Sequence, residues 1–409
     1  MEANPRILHL FNRYRFIGGE EAAVLRMSEV MRAHGAALEE MFVSSNDWEG
    51  SDAPPKWKQP MLAFHNPSAI RRLRAAHARH HPDIWLGHNL LPVLSLSTLR
   101  EAHHQNVPLA LYLHNYRPFS TNGAFWVNNH LETSGLQRRF LPEIMAGAWQ
   151  GSMLRTAWMA LMLHTAHKLG WYRRVSAWIA VSNFVRDRFI EAGVPAEKVH
   201  VLAYPFFPRD TAPVAAPPSR FLFLGRLTEA KGTRVMLKAW EELRQLLPAD
   251  SMPKLIIVGD GELQQEVEAC AEASAGSIDY RGPLHGEAKE QAIADCTAMI
   301  VPSIWWDPYP TVVYEAFDHG RPVLAARSGG LPESVAHGER GLIHEPGNAS
   351  ALAKDILTLH QQPQIAADMG KAGREWLLAN AGAERWWQGF MKIRLIIHEQ
   401  RRSMTCAAA

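Results

Sequence analysis

A chain of 409 residues, 47% hydrophobic and 21% charged, has the make-up of a soluble globular protein and the length for two domains of ordinary size. Its net charge of +2 hides an asymmetry, because residues 1–210 hold 23 Lys/Arg against 17 Asp/Glu and the remainder 20 against 24. That first half suits an anionic partner such as a membrane surface or a phosphorylated acceptor, but it is too weakly basic for a nucleic-acid partner; three cysteines without CxxC spacing exclude a disulfide framework, and no run of about 18 apolar residues exists to span a bilayer.

The chain opens on "MEANPRILHLF", a strand-like run with no basic segment and long apolar stretch before it, so no secretory signal is expected and the cytoplasm is the expected location. "YRFIGGEEAAV" then places Gly18 and Gly19 between a strand and a helix, where backbone can closely approach a phosphate. Further apolar runs, "DIWLGH" and "LALYLH", end in His88 and His114, each followed by an asparagine, Asn89 and Asn115. "TAWMALMLHTAH", residues 156–167, is too short to cross a membrane and reads as a buried helix or an interfacial one. "AWIAVS" is the fourth strand of this half, and a proline-dense stretch at 203–220 reads as a stiff interdomain connection.

Beyond it, "FLFLGR", "KLIIVGDG", "SIDYRG", "AMIVPS", "RPVLAA" and "GLIHEP" alternate with segments long enough for helices. Continuous apolar runs suit strands buried on both faces of a parallel sheet, so each half reads as a doubly wound α/β domain. The expected boundaries are 1–205 and 206–384, with a terminal helix over about 385–409 that needs a surface to cover and can pack back on the first domain. In open parallel sheets ligands bind beyond the carboxyl ends of the strands, and two such ends facing each other would wall a cleft.

The stretch "WWDPYPTVVYEAF", residues 305–317, carries the most chemistry. Its prolines forbid helix before about Thr311, and a helix is expected from Pro310 or Thr311 to Gly320. Asp307 then projects from a loop and Glu315 lies one turn inside the helix. Between them fall the free N–H groups near Thr311, Val312 and Val313, a ready phosphate site. In "FLFLGRLTEAKG", Arg226 and Lys231 sit on a strand–loop–helix turn that could clamp a diphosphate. "LIIVGDGE" supplies Gly259 and Gly261 but lacks the third glycine of a dinucleotide fingerprint. The histidine clusters "HARHH" and "EAHHQ" form no coherent ligand set, and no metal is expected.

"GRLTEAKG", "VGDGE", "YRGPLHG" and "SIWWDPYPTVVYEAFDHGRPVLAARSGGLPE" together resemble retaining glycosyltransferase family 4, including its E-x7-E segment. "GGEE", "HNLLPVLS", "LHNYRPF" and "AVSNFVRDRFIEAGVPAEKVHVL" fit more loosely, and the whole resembles bacterial surface and exopolysaccharide glycosyltransferases. The resemblance implies a GT-B fold of two facing Rossmann-like domains and hexosyl transfer from a UDP- or GDP-linked sugar to a glycan or lipid-linked glycan, with peripheral membrane contact and no metal or other cofactor. Arg226 and Lys231 would bind the donor diphosphate and Glu315 its ribose. Backbone at Pro310, Thr311 and Val312 would hold phosphate and sugar, with Gly259 nearby and Gly18 and Gly19 closing over the diphosphate. His114 and Asp307 would lie at the donor sugar with catalytic roles, and His88, Asn89 and Asn115 would line the acceptor side. Asp307 departs from the family's usual glutamate, and "STNGAFWVNNHLETSG" lacks the cysteines that relatives often carry there.

Overall fold

The computed structural model describes residues 4–14, 18–213 and 219–408. The chain divides into two compact units, the first comprising residues 1–128, 132–206 and 383–409, the second residues 129–131 and 207–382. Part of the proline-dense connection, residues 214–218, lies outside the described residues, as do residues 15–17 beside the glycine pair.

In the first unit β1 (Arg6–Arg13), β2 (Ala37–Ser44), β3 (Ile84–Gly87), β4 (Leu109–Leu113), β5 (Ala177–Ala180) and β6 (Val199–Val201) pair in the order β2-β1-β3-β4-β5-β6. Every pairing is parallel. β3, β4 and β5 are buried at every position, as continuous apolar runs require when helices cover both faces. β2 and β6 are additional to the four expected strands. β2 carries Glu39 and Glu40 and is only partly buried, so its sequence lacks an apolar run. β6 is three residues long.

The second unit repeats the plan. β7 (Arg220–Leu224), β8 (Lys254–Val258), β9 (Ile278–Tyr280), β10 (Ala298–Val301), β11 (Val323–Ala326) and β12 (Gly341–His344) form a parallel sheet ordered β9-β8-β7-β10-β11-β12. All six expected strands are present. The chain steps outward from β7 to β9 and then returns to the other side of β7 as β10. In open parallel sheets ligands bind at such a reversal, here beyond the loops after β7 and β10. The β1/β3 pair is the equivalent point of the first unit.

Two helices of the first unit frame its sheet. α1 (Gly19–Ala33) is the first described helix after β1. The terminal helix α2 (Ala383–Ala408) belongs to this unit as well, and its Trp386, Phe390, Ile393 and Ile397 are buried. The Trp386 indole N–H donates to the Tyr112 hydroxyl at 3.2 Å, and Arg394 pairs with Asp83 at 3.1 Å.

Candidate functional site

In the second unit the loops at the reversal point are tied together through backbone. The Leu227 N–H donates to Asp260 O at 2.7 Å, Ile304 N–H to Ala230 O at 3.0 Å, and Gly330 N–H to Asp307 O at 2.9 Å. Two glycines make this contact possible. A Cβ on Gly259 would fall 1.9 Å from Gly225 O and one on Gly329 1.9 Å from Asp307 O, both from positive-φ backbone. The glycine-rich turns therefore hold loop against loop; their spacing in the sequence reflects packing.

On this frame Lys231, from the loop after β7, meets Asp307, from the loop after β10, at 2.5 Å, both largely buried. Its ammonium also lies 5.3 Å from the centre of the Trp305 ring. Asp307 thus finds its partner in Lys231, two residues that the sequence places 76 positions apart. Arg226 is exposed and has no ion pair among the described residues. The Trp305 indole nitrogen is buried and without a hydrogen-bond partner among them, a donor that sequence reasoning did not single out.

The helix after the proline turn, Val312–Asp318, begins with Thr311 as its flanking residue. The N–H groups of Thr311 and Val312 have no partner among the described residues. That of Val313 donates to Pro310 O at 3.2 Å, so the expected free N–H there is corrected: the proline turn closes on it. Glu315 projects from the first turn and accepts from the Lys289 ammonium at 3.1 Å. Lys289, on the helix Gly286–Ala294, was not foreseen, since nothing local to its sequence marks it.

In the first unit Gly18 flanks α1 with extended backbone, Gly19 is its first residue, and the space beside Gly18 is open. His88 and His114 belong to a buried file of side chains. Ser28 Oγ lies 3.0 Å from His9 Nδ1, His9 Nε2 2.6 Å from His88 Nε2, His88 Nδ1 2.7 Å from His114 Nε2, and His114 Nδ1 2.9 Å from the Tyr204 hydroxyl. Burial pushes His9 down to about 3, with Arg32 and His114 contributing, and His114 down to about 3; His88 is also pushed well down by burial and by its two neighbours. Three neutral imidazoles carry three protons. Each N···N contact needs one of them, so only two arrangements fit, with every bond pointing the same way along the file.

Both His114 nitrogens are therefore occupied, and the expected side-chain contact to a donor sugar has no free ring nitrogen. Asn89, expected on the acceptor side, is likewise used internally: its amide donates to Asn12 O and Leu91 O, both at 2.9 Å, and accepts from Leu91 N–H at 3.2 Å. Asn115 donates to the Tyr14 hydroxyl at 2.9 Å and accepts from the Arg117 N–H at 2.9 Å. His88, His114, Asn115 and Arg117 line a cavity of this unit whose other walls are largely leucine, tyrosine and tryptophan. His9, Tyr204, Tyr14 and Arg117 escaped sequence reasoning because strand register and tertiary packing bring them in. Among the described residues no group of three or more His, Cys, Asp or Glu is placed to hold a metal ion.

A model of family 4 glycosyltransferases matches residues 17–204, and one of group 1 glycosyl transferases matches residues 210–376. Over 166 residues the chain is 32% identical to a GDP-mannose-dependent alpha-(1-6)-phosphatidylinositol monomannoside mannosyltransferase of Mycolicibacterium smegmatis, 38% of this chain and 42% of that one. It is 26% identical over 196 residues to the amylovoran biosynthesis glycosyltransferase AmsK of Erwinia amylovora, 45% and 47% of the two chains. These matches span a little under half the length of those relatives. Anabaena HepE, solved in complex with UDP, superposes with a TM-score of 0.64 at 20% identity, over 97% of this chain and all of that one. The sucrose-phosphate synthase of Thermosynechococcus elongatus superposes with a TM-score of 0.66 at 18% identity, over 99% and 100%. Two parallel six-stranded doubly wound sheets, with family models matching most of the chain, place it in glycosyltransferase family 4 with the GT-B fold.

Proposed function

We propose that the protein transfers a hexose-type sugar from a UDP- or GDP-linked donor to a hydroxyl of a growing or lipid-linked surface glycan, with retention of configuration and without a metal. The observation that carries this reading is the set of groups gathered on the loops after β7 and β10, at the reversal point of the second unit. Arg226 without an ion pair, Lys231 beside Asp307, and the free N–H groups of Thr311 and Val312 offer positive charge and donors, and Glu315 stands one turn away to accept from ribose hydroxyls. Charge that develops on a departing diphosphate would be stabilised by these groups, the work a metal performs elsewhere. A front-face displacement, with the departing diphosphate oxygen helping to take the acceptor's proton, agrees with this arrangement. The relatives that bear GDP-mannose-dependent and amylovoran-biosynthesis names, and HepE with its UDP, support the donor and acceptor classes. Asp307 acts in this reading by holding Lys231, and His114 by packing and tautomer within its file.

The protein works in the cytoplasm, peripheral on the inner face of the plasma membrane. No described helix is long and apolar enough to cross a bilayer, while Trp57, Leu141, Met145 and Leu154 of the first unit are all well exposed. The helix Met153–Lys168 buries Met159, Met162 and Leu163 on one face and shows Leu154 and Leu161 to solvent. Co-sedimentation with anionic vesicles is expected; a protein that stays in the supernatant contradicts the membrane contact.

Proton NMR of the sugar released from a UDP- or GDP-linked α-hexose in excess EDTA tests the chemistry. The α anomer as first product, at a rate unchanged by EDTA, is expected. A β anomer, or loss of turnover in EDTA, would overturn the respective claim. A second reading, a nucleotide-sugar-binding subunit without turnover, draws on Asp307 being committed to Lys231; donor bound but never consumed, with any acceptor, would favour it. A nucleotide-sugar epimerase would instead return an altered donor.

A further inference from the structure

Arg117 lies in the first unit, on the loop after β4, and lines the cavity beside His88 and His114. Its place is fixed. One terminal nitrogen donates to Thr121 O at 2.5 Å, the guanidinium stacks 4.5 Å above the Trp149 ring, and its backbone N–H is held by Asn115. What it lacks is a counter-ion. No ion pair to Arg117 exists among the described residues, and its Nε is buried without a hydrogen-bond partner.

The two carboxylates whose charge bears on it do not fill that role. Glu20 accepts from the Tyr14 hydroxyl and the Asn89 N–H, yet burial pushes it up to about 8, and its Oε1 is buried without a partner. Glu143 accepts from the Thr121 N–H at 2.7 Å and from the Thr121 hydroxyl; burial raises it too, and its Oε1 is also unpartnered. A guanidinium taken from water without an opposite charge is costly, and two carboxyls that burial pushes toward their neutral form do not supply one. The cluster thus lacks an anion for Arg117, and an anionic sugar in the cavity that Arg117 lines supplies one.

We propose that Arg117 is the anion-binding residue of the acceptor pocket and that the acceptor is a sugar bearing an oxyanion, a phosphate or a carboxylate, near the hydroxyl that is glycosylated. The apolar walls, including Leu90, Leu113, Tyr172 and Trp178, exclude water around the pairing and strengthen it. This rests on the transferase reading for the word acceptor; the anion site itself does not.

The test is calorimetric titration of the full chain, saturated with UDP or GDP, with glucose 6-phosphate, glucuronate and glucose. At least one anionic sugar is expected to bind tenfold or more tighter than glucose, and which one separates phosphate from carboxylate. Arg117→Gln should bring that sugar within about twofold of glucose while nucleotide affinity and melting temperature hold. If Arg117→Gln does not fold, Arg117→Lys decides, because it keeps the charge and loses the fork, and a threefold or greater loss is expected. Anionic sugars that bind no tighter than glucose to a nucleotide-bound protein, or a preference that survives substitution of Arg117, would overturn the proposal. An anionic sugar that binds to a protein with no affinity for any nucleotide would overturn the transferase reading and leave the anion site standing.

Discussion

Lys231 and Asp307 form a contact between two loops that each carry part of the candidate donor site. The pairing makes opposite predictions for its two members. Lys231→Ala removes a cation from these loops and should weaken nucleotide binding. Asp307→Asn leaves the ammonium without its internal counter-ion, so nucleoside diphosphate should bind a few-fold tighter even as the protein loses roughly 3–5 kcal/mol of stability, as for a broken buried ion pair. Calorimetry with UDP or GDP reads the first effect and chemical denaturation the second; weaker nucleotide binding by Asp307→Asn would contradict this role. Lys289→Ala frees Glu315 without touching the phosphate groups, so it should alter affinity for a nucleotide more than for pyrophosphate. Equal effects on both would remove Lys289 from the ribose side. These pairings were beyond the reach of sequence. "GRLTEAKG" and "WWDPYP" showed that charged groups follow strands, but only the β7–β10 neighbour relation makes Lys231 and Asp307 meet. His88 and His114 could be read as strand-end histidines, whereas His9 sits inside "RILHLF" and enters the file only because β1 and β3 align His9 with Leu86.

Among strands and helices, the strands were legible wherever both faces are buried, because burial on both sides leaves an uninterrupted apolar run. β2 was not, since edge position tolerates Glu39 and Glu40. The helix after Pro310, expected to Gly320 and found over Val312–Asp318, was legible to within two residues at each end, because proline restricts its predecessor and the following residues favour helix. What stayed hidden was that the turn itself takes up the Val313 N–H. The glycines of the second unit illustrate the same limit. Gly259 and Gly261 fell short of a dinucleotide fingerprint, and spacing did not show that Gly329 is required where a loop crosses Asp307 O, so Gly329→Ala should cost about 1–3 kcal/mol through a forced backbone shift. Unchanged thermal stability of that variant would contradict the close approach. In α2, Phe390 is fully buried and stacks on Trp386 with ring centres 5.5 Å apart. Phe390→Ala should therefore cost about 3–5 kcal/mol, and a loss below about 1 kcal/mol in denaturant titration would mean that α2 is dispensable to its unit.

For the chain as a whole, acidity is the most general probe. His9 and His114 stay neutral in the folded chain down to about 3, and His167, on the helix Met153–Lys168, down to about 4, chiefly through burial; the unfolded chain protonates such groups near 6.5. Below pH 6.5 the unfolded state binds protons that the native state refuses, so stability falls as pH drops through the window from 6.5 to about 3, by about 1.4 kcal/mol per pH unit for each such group. Glu20, raised to about 8, has the opposite sign and favours the native state below that pH, but the histidines outnumber it. The melting temperature should fall steadily between pH 6.5 and 5, and a flat profile would mean that the file takes up protons while folded. Fold and family were legible from motif and strand pattern, because both arise from chain-local spacing; the partners inside each site were not, because they come from different strands.

The proposed transfer depends above all on the loops at the β7/β10 reversal binding a nucleoside diphosphate through Arg226 and Lys231. The decisive measurement is isothermal titration of UDP and GDP in EDTA, against the unaltered chain and against Arg226→Ala and Lys231→Ala. Metal-independent binding of at least one nucleotide is expected, weakened about tenfold or more by each substitution, about 1.4 kcal/mol, with the unliganded melting temperature preserved in Arg226→Ala. No binding of either nucleotide, or full affinity retained in both variants, would contradict it.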